Sequence, residues 1–145
     1  MAAKQEKDVG RFTVEVELAN NDDLVASRQG HLAADKVRRV TVQGLVDSGA
    51  SRLVLPTAIA KQLGLVTTGK VTVHYADRRE ATRDRVEGVY LALQGRDGIF
   101  KAALEPKRDI ALIGAIVLED LDFLVDCTAG KIYPRDPRFL TAELE

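Results

Sequence analysis

Apolar and polar residues alternate strictly from Arg11 to Ala19, with Phe12, Val14, Val16 and Leu18 on one face and Arg11, Thr13, Glu15 and Glu17 on the other. A period of two predicts a strand buried on one side. Asn20, Asn21, Asp22 and Asp23 follow; their side chains bond their own backbone, so the strand is expected to end there in a turn. Residues 24–36 have weak periodicity and read as a loop or irregular hairpin arm. Val37 to Val46 is again strand-like, with Val40 and Val42 in step before Leu45 and Val46 lead into Asp47. After Leu53-Val54-Leu55, Pro56 suits a first helical turn, Ile59 and Leu63 share a face, and Gly64 suits a left-handed stop, which predicts a helix over Pro56 to Leu63.

Thr67 to Lys70 reads as a turn. Val71, Val73 and Tyr75 alternate with Thr72, His74 and Ala76, and Val89, Leu91 and Leu93 with Tyr90 and Ala92, so two strands flank the charged segment Asp77 to Glu87 in a long exposed hairpin. Gly95-Arg96-Asp97-Gly98 predicts a tighter hairpin into a strand over Ile99 to Leu104, which Pro106 ends. Ile110 to Ile113 reads as a short buried strand ending at Gly114. Ile116, Leu118 and Leu121 fit a second helix, Phe123 to Val125 a further strand, and Pro134 and Pro137 end regular structure. Many short strands with one or two short helices predict a mainly β fold, a barrel or closed sheet that is mostly antiparallel.

Composition narrows the possibilities. The chain has 145 residues, which is the size of one ordinary domain and enough to bury a core without disulfides. Its single cysteine, Cys127, cannot form an internal disulfide and reads as a small buried thiol at the end of an apolar strand; a cytoplasmic setting is therefore expected. The net charge of -1 exerts no global pull toward nucleic acid or anionic membrane, and no apolar run reaches the ~20 residues of a spanning helix. With no tryptophan and few aromatics, the chain lacks a stacking platform for bases. Residues 1–9 read as a flexible N-terminal tail, without the apolar run of a secretory signal.

The candidate chemistry lies at Leu45-Val46-Asp47-Ser48-Gly49-Ala50-Ser51, where an apolar strand delivers an acid into a small-residue loop. Burial raises the pKa of such a carboxyl and backbone donors lower it, while a glycine lets the backbone come close. A plain β-turn with Asp, Ser and Gly in preferred places is equally compatible with these residues. His31, His74 and Cys127 are too few and too scattered for a metal-ligand pattern, so no metal is expected. Ser48 has no neighbouring base that would make it a nucleophile. Arg78, Arg79, Arg83 and Arg85 are interleaved with Asp77, Glu80, Asp84 and Glu87, which cancels a nucleic-acid-binding field.

Val46-Asp47-Ser48-Gly49-Ala50-Ser51, then Leu53-Val54-Leu55-Pro56 and, after a hairpin, Leu112-Ile113-Gly114, together resemble the single-domain retropepsin-like (retroviral-type) aspartic proteases, with a bacterial-type member in view. The resemblance spans residues 10–135 and leaves 136–145 as a C-terminal tail. It implies a closed β-barrel that forms a homodimer with its active site on the two-fold axis, because one DSG loop supplies one of the two aspartates needed. Asp47 then resembles the catalytic aspartate, Ser48 the hydroxyl that locks the two loops across the dimer, and Gly49 the glycine that bonds the carboxylate. Ala50, Ser51, Leu112, Ile113 and Gly114 resemble the loop and the element threaded behind it. Tyr75, Ala76, Asp77 and Arg78 fall where the family has a flap over substrate.

The implied activity is endopeptidic hydrolysis of polypeptide by a water that the Asp47 pair activates, with no cofactor, nucleic acid or membrane involved. Two carboxylates ~3 Å apart share one proton, behaviour for which aspartic proteases are themselves the standard example. Three departures from the family pattern matter. Ser48 replaces the commoner threonine, the flap lacks glycines, and Ala50 supplies no side-chain donor, so a mildly acidic optimum is expected. A catalytically silent peptide-binding or interaction module on the same fold is the alternative.

Overall fold

The structure, a computed structural model, describes residues 11–144; the expected N-terminal tail at 1–9 lies outside the described residues. Nine strands run in chain order: β1 (Phe12–Asn20), β2 (Arg39–Val46), β3 (Leu53–Pro56), β4 (Thr67–His74), β5 (Glu80–Leu93), β6 (Arg96–Glu105), β7 (Ala111–Ile113), β8 (Phe123–Asp126) and β9 (Lys131–Pro134). Three short helices, α1 (Asn21–Arg28), α2 (Thr57–Gln62) and α3 (Ala115–Asp120), and a 3-10 turn at Ala34–Lys36 complete the described elements. The large sheet has the order β1-β2-β7-β3-β6-β5-β4, and β1 also pairs with β5. That pairing closes a six-stranded barrel and leaves β4 outside it as an edge. β8 and β9 form a separate two-stranded sheet. The expected mainly β, closed-barrel class is therefore the observed one.

Closure depends on a bend in β5. Its first part pairs with β4 and its last part with β1, and the β5–β6 register slips between Val86 and Val89. Gly88 lies in that slip at φ +68°, a left-handed conformation that glycine adopts without steric cost, so one extra residue turns the strand onto β1. The alternating residues seen in the sequence then meet in one cluster, with Val16, Leu18, Val46, Leu53, Leu55, Val86, Leu91, Leu93 and Ile113 all buried. Each such side chain contributes about 1.5–3 kcal/mol by leaving water.

Several local expectations are corrected. Residues 20–23 start a helix: the Asn20 side chain accepts a hydrogen bond from the Asp23 N–H at 3.0 Å and so caps α1, with Asp22 and Asp23 in its first turn. Asn20 Nδ2 also donates to Leu63 O at 2.9 Å, which ties the end of β1 to the end of α2. Thr67–Lys70 belongs to β4, whose irregular register at Thr67/Gly69 absorbs the glycine. Most of the charged segment 77–87 is strand, because the hairpin tip takes up only residues 75–79. The tighter hairpin turns earlier than expected, at Gln94 and Gly95, whose positive φ values of 48° and 82° match a twist-compatible two-residue turn. Cys127 is exposed, since it sits in the turn after β8 and not within the strand. Residues 136–141 fold back: Thr141 N donates to Asp122 Oδ2, and Arg96 donates to the Asp136 and Phe139 carbonyls.

Asp23 anchors α1 to the start of β2. Arg38 donates to it through its backbone N–H and through Nε and Nη2, at 2.8–3.0 Å, and this guanidinium holds the Asp23 carboxyl below its ordinary range. A carboxyl lowered by folding adds stability above its unfolded pKa of about 3.9, and that stability is lost as pH falls through the folded value. Asp23→Asn is expected to cost about 1–3 kcal/mol at pH 7. Urea midpoints measured from pH 7 down to pH 3 should show the gap between natural and variant chains closing toward the acid end.

Candidate functional site

β2 runs beside β7 in parallel, and β7 pairs on its other side with β3, so the loop between β2 and β3 is straddled from within by the chain that leaves β7. Asp47 stands on that loop directly after the buried Val46. Its N–H donates to Ile113 O at 3.0 Å, which ties the start of the loop to the end of β7, and the residue is half-buried. The loop then turns back on itself: Ala50 N donates to Asp47 O at 3.1 Å, and Gly49 N donates to Asp47 Oδ1 at 3.0 Å. A Cβ on Gly49 would lie 3.2 Å from that same Oδ1, so the glycine allows its amide to approach the acid.

The support comes from behind. Ala115 N donates to Ala50 O at 2.7 Å and Ile116 N to Ser51 O at 3.1 Å, both from the first turn of α3. Gly114 is buried against the same loop, where a Cβ would meet the backbone atoms of Ala50 and Arg52. Ile113 is fully buried, while Leu112, one position earlier on the alternating strand, faces outward into a cleft. Ser48 is exposed beside Asp47.

That cleft, of about 360 Å³, lies between the loop and β4. Gly49 to Arg52 line one side and Val71 to Tyr75 the other, with Val54, Ala103 and Leu112 between them. Because β4 pairs only with β5 among the described residues, its other backbone edge is unpaired among them. The β4–β5 hairpin ends in a tight turn in which Arg78 N donates to Tyr75 O and Tyr75 N to Arg79 O, each at 2.9 Å, and Arg78 sits at φ 71°.

Tyr75 reaches from the base of that turn to β6, where its hydroxyl donates to both oxygens of Glu105, at 2.8 and 3.0 Å. Arg83 Nε donates to the same carboxylate. Partial burial, and then the neighbouring Glu105, push the Tyr75 hydroxyl above its usual pKa. Tyr75→Phe is expected to cost about 1 kcal/mol. The measurable consequence is roughly fivefold faster hydrogen exchange at the Tyr75 and Arg78 amides.

Of the residues singled out in the sequence, Gly49, Ala50, Ser51, Leu112 and Tyr75 line one cleft beside Asp47, and Ile113 and Gly114 lie behind the loop. Ala76, Asp77 and Arg78 form the exposed hairpin tip and do not line that cleft. Within the tip, Arg79 pairs with Asp77 at 2.6 Å and lies over the Tyr75 ring at 4.8 Å, so its charge is spent locally. Arg52, Val54, Val71, Val73, Glu105 and Arg108 were not anticipated. The half-buried alternation of Val71 and Val73 was a usable signal; the arginines had none, because only the fold brings residues 52 and 108 together. Among the described residues no group of three His, Cys, Asp or Glu side chains is placed to hold a metal ion, and no helix is long and apolar enough to cross a membrane.

Residues 33–117 match the family model described as "Aspartyl protease". No curated protein is detectably similar in sequence. Among solved structures, EIAV protease complexed with the inhibitor HBY-793 superposes with a TM-score of 0.52 at 19% identity, covering 77% of this chain and 88% of that one. A solution structure of simian foamy virus (mac) protease superposes with a TM-score of 0.46 at 16% identity, covering 73% and 90%.

Proposed function

Because the chain belongs to the aspartyl protease family, we propose that it is a dimeric aspartic endopeptidase whose two copies bring their Asp47 carboxylates together on a two-fold axis. One observation carries this reading: the Asp47 carboxylate accepts from Gly49 N–H on a loop braced from behind, beside a cleft bordered by a strand edge that is unpaired among the described residues. One carboxylate of the pair takes a proton from water as it attacks the peptide carbonyl. The protonated partner donates to the carbonyl oxygen, and a proton then passes to the leaving amine as the C–N bond breaks. Since carboxylates activate the water, the reading calls on neither a metal ion nor an organic cofactor.

The remaining roles follow from position. Ser48, exposed next to Asp47, is the hydroxyl proposed to lock the two loops across the dimer, and Leu112-Ile113-Gly114 hold each loop in place. An extended peptide would lie between residues 49–52 and β4, taking backbone hydrogen bonds from the β4 edge as an added strand does. Tyr75, Ala76, Asp77 and Arg78 would then cover it. A cytoplasmic place of action fits a chain whose one cysteine cannot make an internal disulfide.

The alternative, a silent peptide-binding module, is favoured by one feature: the Tyr75 and Arg83 contacts to Glu105 pin the hairpin base, and the tip contains no glycine. Hydrolysis of denatured casein followed through serial dilution at mildly acidic pH separates the two. Specific activity that falls on dilution, in step with dissociation seen by sedimentation, is the expected result. Constant specific activity from a monomer overturns the shared site, and no hydrolysis by a folded dimer at any concentration leaves the binding module.

A further inference from the structure

The cleft has an apolar lining from Val54, Val71, Val73 and Leu112, but two arginines, Arg52 and Arg108, line it as well, and Arg52 also borders a neighbouring cavity that contains Lys101 and Asp120. Arg52 makes no ion pair among the described residues. Arg108 is held through Nε, which donates to Ile110 O at 3.0 Å, and it too meets no carboxylate. The carboxylate that lines the cleft is already engaged, since Glu105 accepts from Arg83 and Tyr75. Apart from Asp47 on the adjoining loop, the two arginines therefore have no carboxylate partner beside this apolar lining.

Such a surface selects by charge. In an extended strand, side chains two apart share a face and the next one points the other way, about 3.3 Å along, so a bound peptide sets an apolar side chain against that lining with polar neighbours at the rim. A guanidinium gives its strongest hydrogen bonds to a carboxylate, often through two N–H groups at once. An uncharged or cationic residue leaves the same guanidinium unpaired or repelled. Resting on the peptidase reading above, we infer that Arg52 and Arg108 make this cleft a subsite for acidic polypeptide, taking segments in which an apolar residue lies close to Asp or Glu. The hairpin arginines play no part in it, since Arg79 is paired with Asp77 and Arg78 lies outside the cleft.

Two readouts separate a failure of this inference from a failure of the peptidase reading. The first is the cleavage profile of a proteome-derived peptide library at pH 6, where Asp and Glu are ionised. The expected result is about tenfold enrichment of carboxylates near the cleaved bond, lost in Arg52→Gln/Arg108→Gln and replaced by Lys and Arg enrichment in Arg52→Glu/Arg108→Glu. The enrichment should enter through KM, shrink in 0.5 M salt and be kept by Arg52→Lys/Arg108→Lys, which also controls for disturbance of the Arg108 loop. Cleavage without charge preference, or with a preference that the substitutions leave unchanged, overturns the inference and leaves the peptidase intact.

The second readout is fluorescence anisotropy of labelled apolar peptides carrying Glu, Gln or Lys, measured on Asp47→Asn, where no turnover intervenes. Tighter binding of the Glu peptide upholds the subsite even if the natural chain cleaves nothing. Equal binding of all three, or none, overturns it.

Discussion

Asp47→Asn is expected to lower casein hydrolysis by at least about 10³-fold, because acid–base groups of this kind each contribute roughly 10²–10⁴ and the substitution removes both members of the pair from a homodimer. Asparagine keeps the size of the side chain and an oxygen that can still accept from Gly49 N–H, so the loop is not disturbed. The melting temperature and sedimentation of the variant should therefore match those of the natural chain. Retained hydrolysis in a purified variant would place the chemistry elsewhere. A variant that is inactive but also unfolded would show that Asp47 serves the fold first, contrary to the one side-chain hydrogen bond, from Gly49 N–H, that it makes among the described residues.

Gly114→Ala should have the opposite signature, damaging stability and activity together. A Cβ at this buried position would lie 2.8 Å from both Ala50 O and Arg52 N, and it would crowd Arg52 O as well. All three are backbone atoms, so no side chain can rotate aside and the loop itself must move. Its braces, Ala115 N to Ala50 O and Ile116 N to Ser51 O, then lengthen or break. Overpacking of this kind costs about 2–3 kcal/mol, which at roughly 3 °C per kcal/mol for a chain of this size lowers the melting temperature by about 6–9 °C. Below that temperature the folded variant should still lose roughly 10²-fold in rate, since a 1 Å displacement of a reacting group is enough to do so. A thermal melt and a casein assay on the same sample decide it. An unchanged melt would mean that the loop yields freely and that the threading of β7 does not hold Asp47 in position.

Local pattern alone was sufficient for the regularly alternating strands, though not for the ends of β4 and β5. The alternation from Phe12 to Leu18 reports a strand with one buried face, because side-chain direction in an extended chain reverses at every residue whatever lies beyond it. The helix stop at Gly64, with φ +66°, was likewise a local matter of which residue tolerates that backbone. Helix α1 was missed because the same Asn-Asp run suits a turn or a helix N-terminus. The choice between them was made by Leu63 and Arg38, which bind Asn20 and Asp23 from elsewhere in the fold.

The site divides the same way. Asp47, Ser48 and Gly49 are consecutive, and their chemistry could be read in the sequence because a carboxylate and the amide that bonds it lie two residues apart. The cleft was invisible, since its two arginines, 56 positions apart in the numbering, share it only through the insertion of β7 between β2 and β3. By itself, then, the sequence determined the alternating strands, the acid-bearing loop and the residue types that suit it, all of which depend on neighbours within a few positions. Only the tertiary structure decided what surrounds the acid, which charges are already paired and which remain to meet a substrate, because electrostatic balance depends on distance through space and not on distance along the chain.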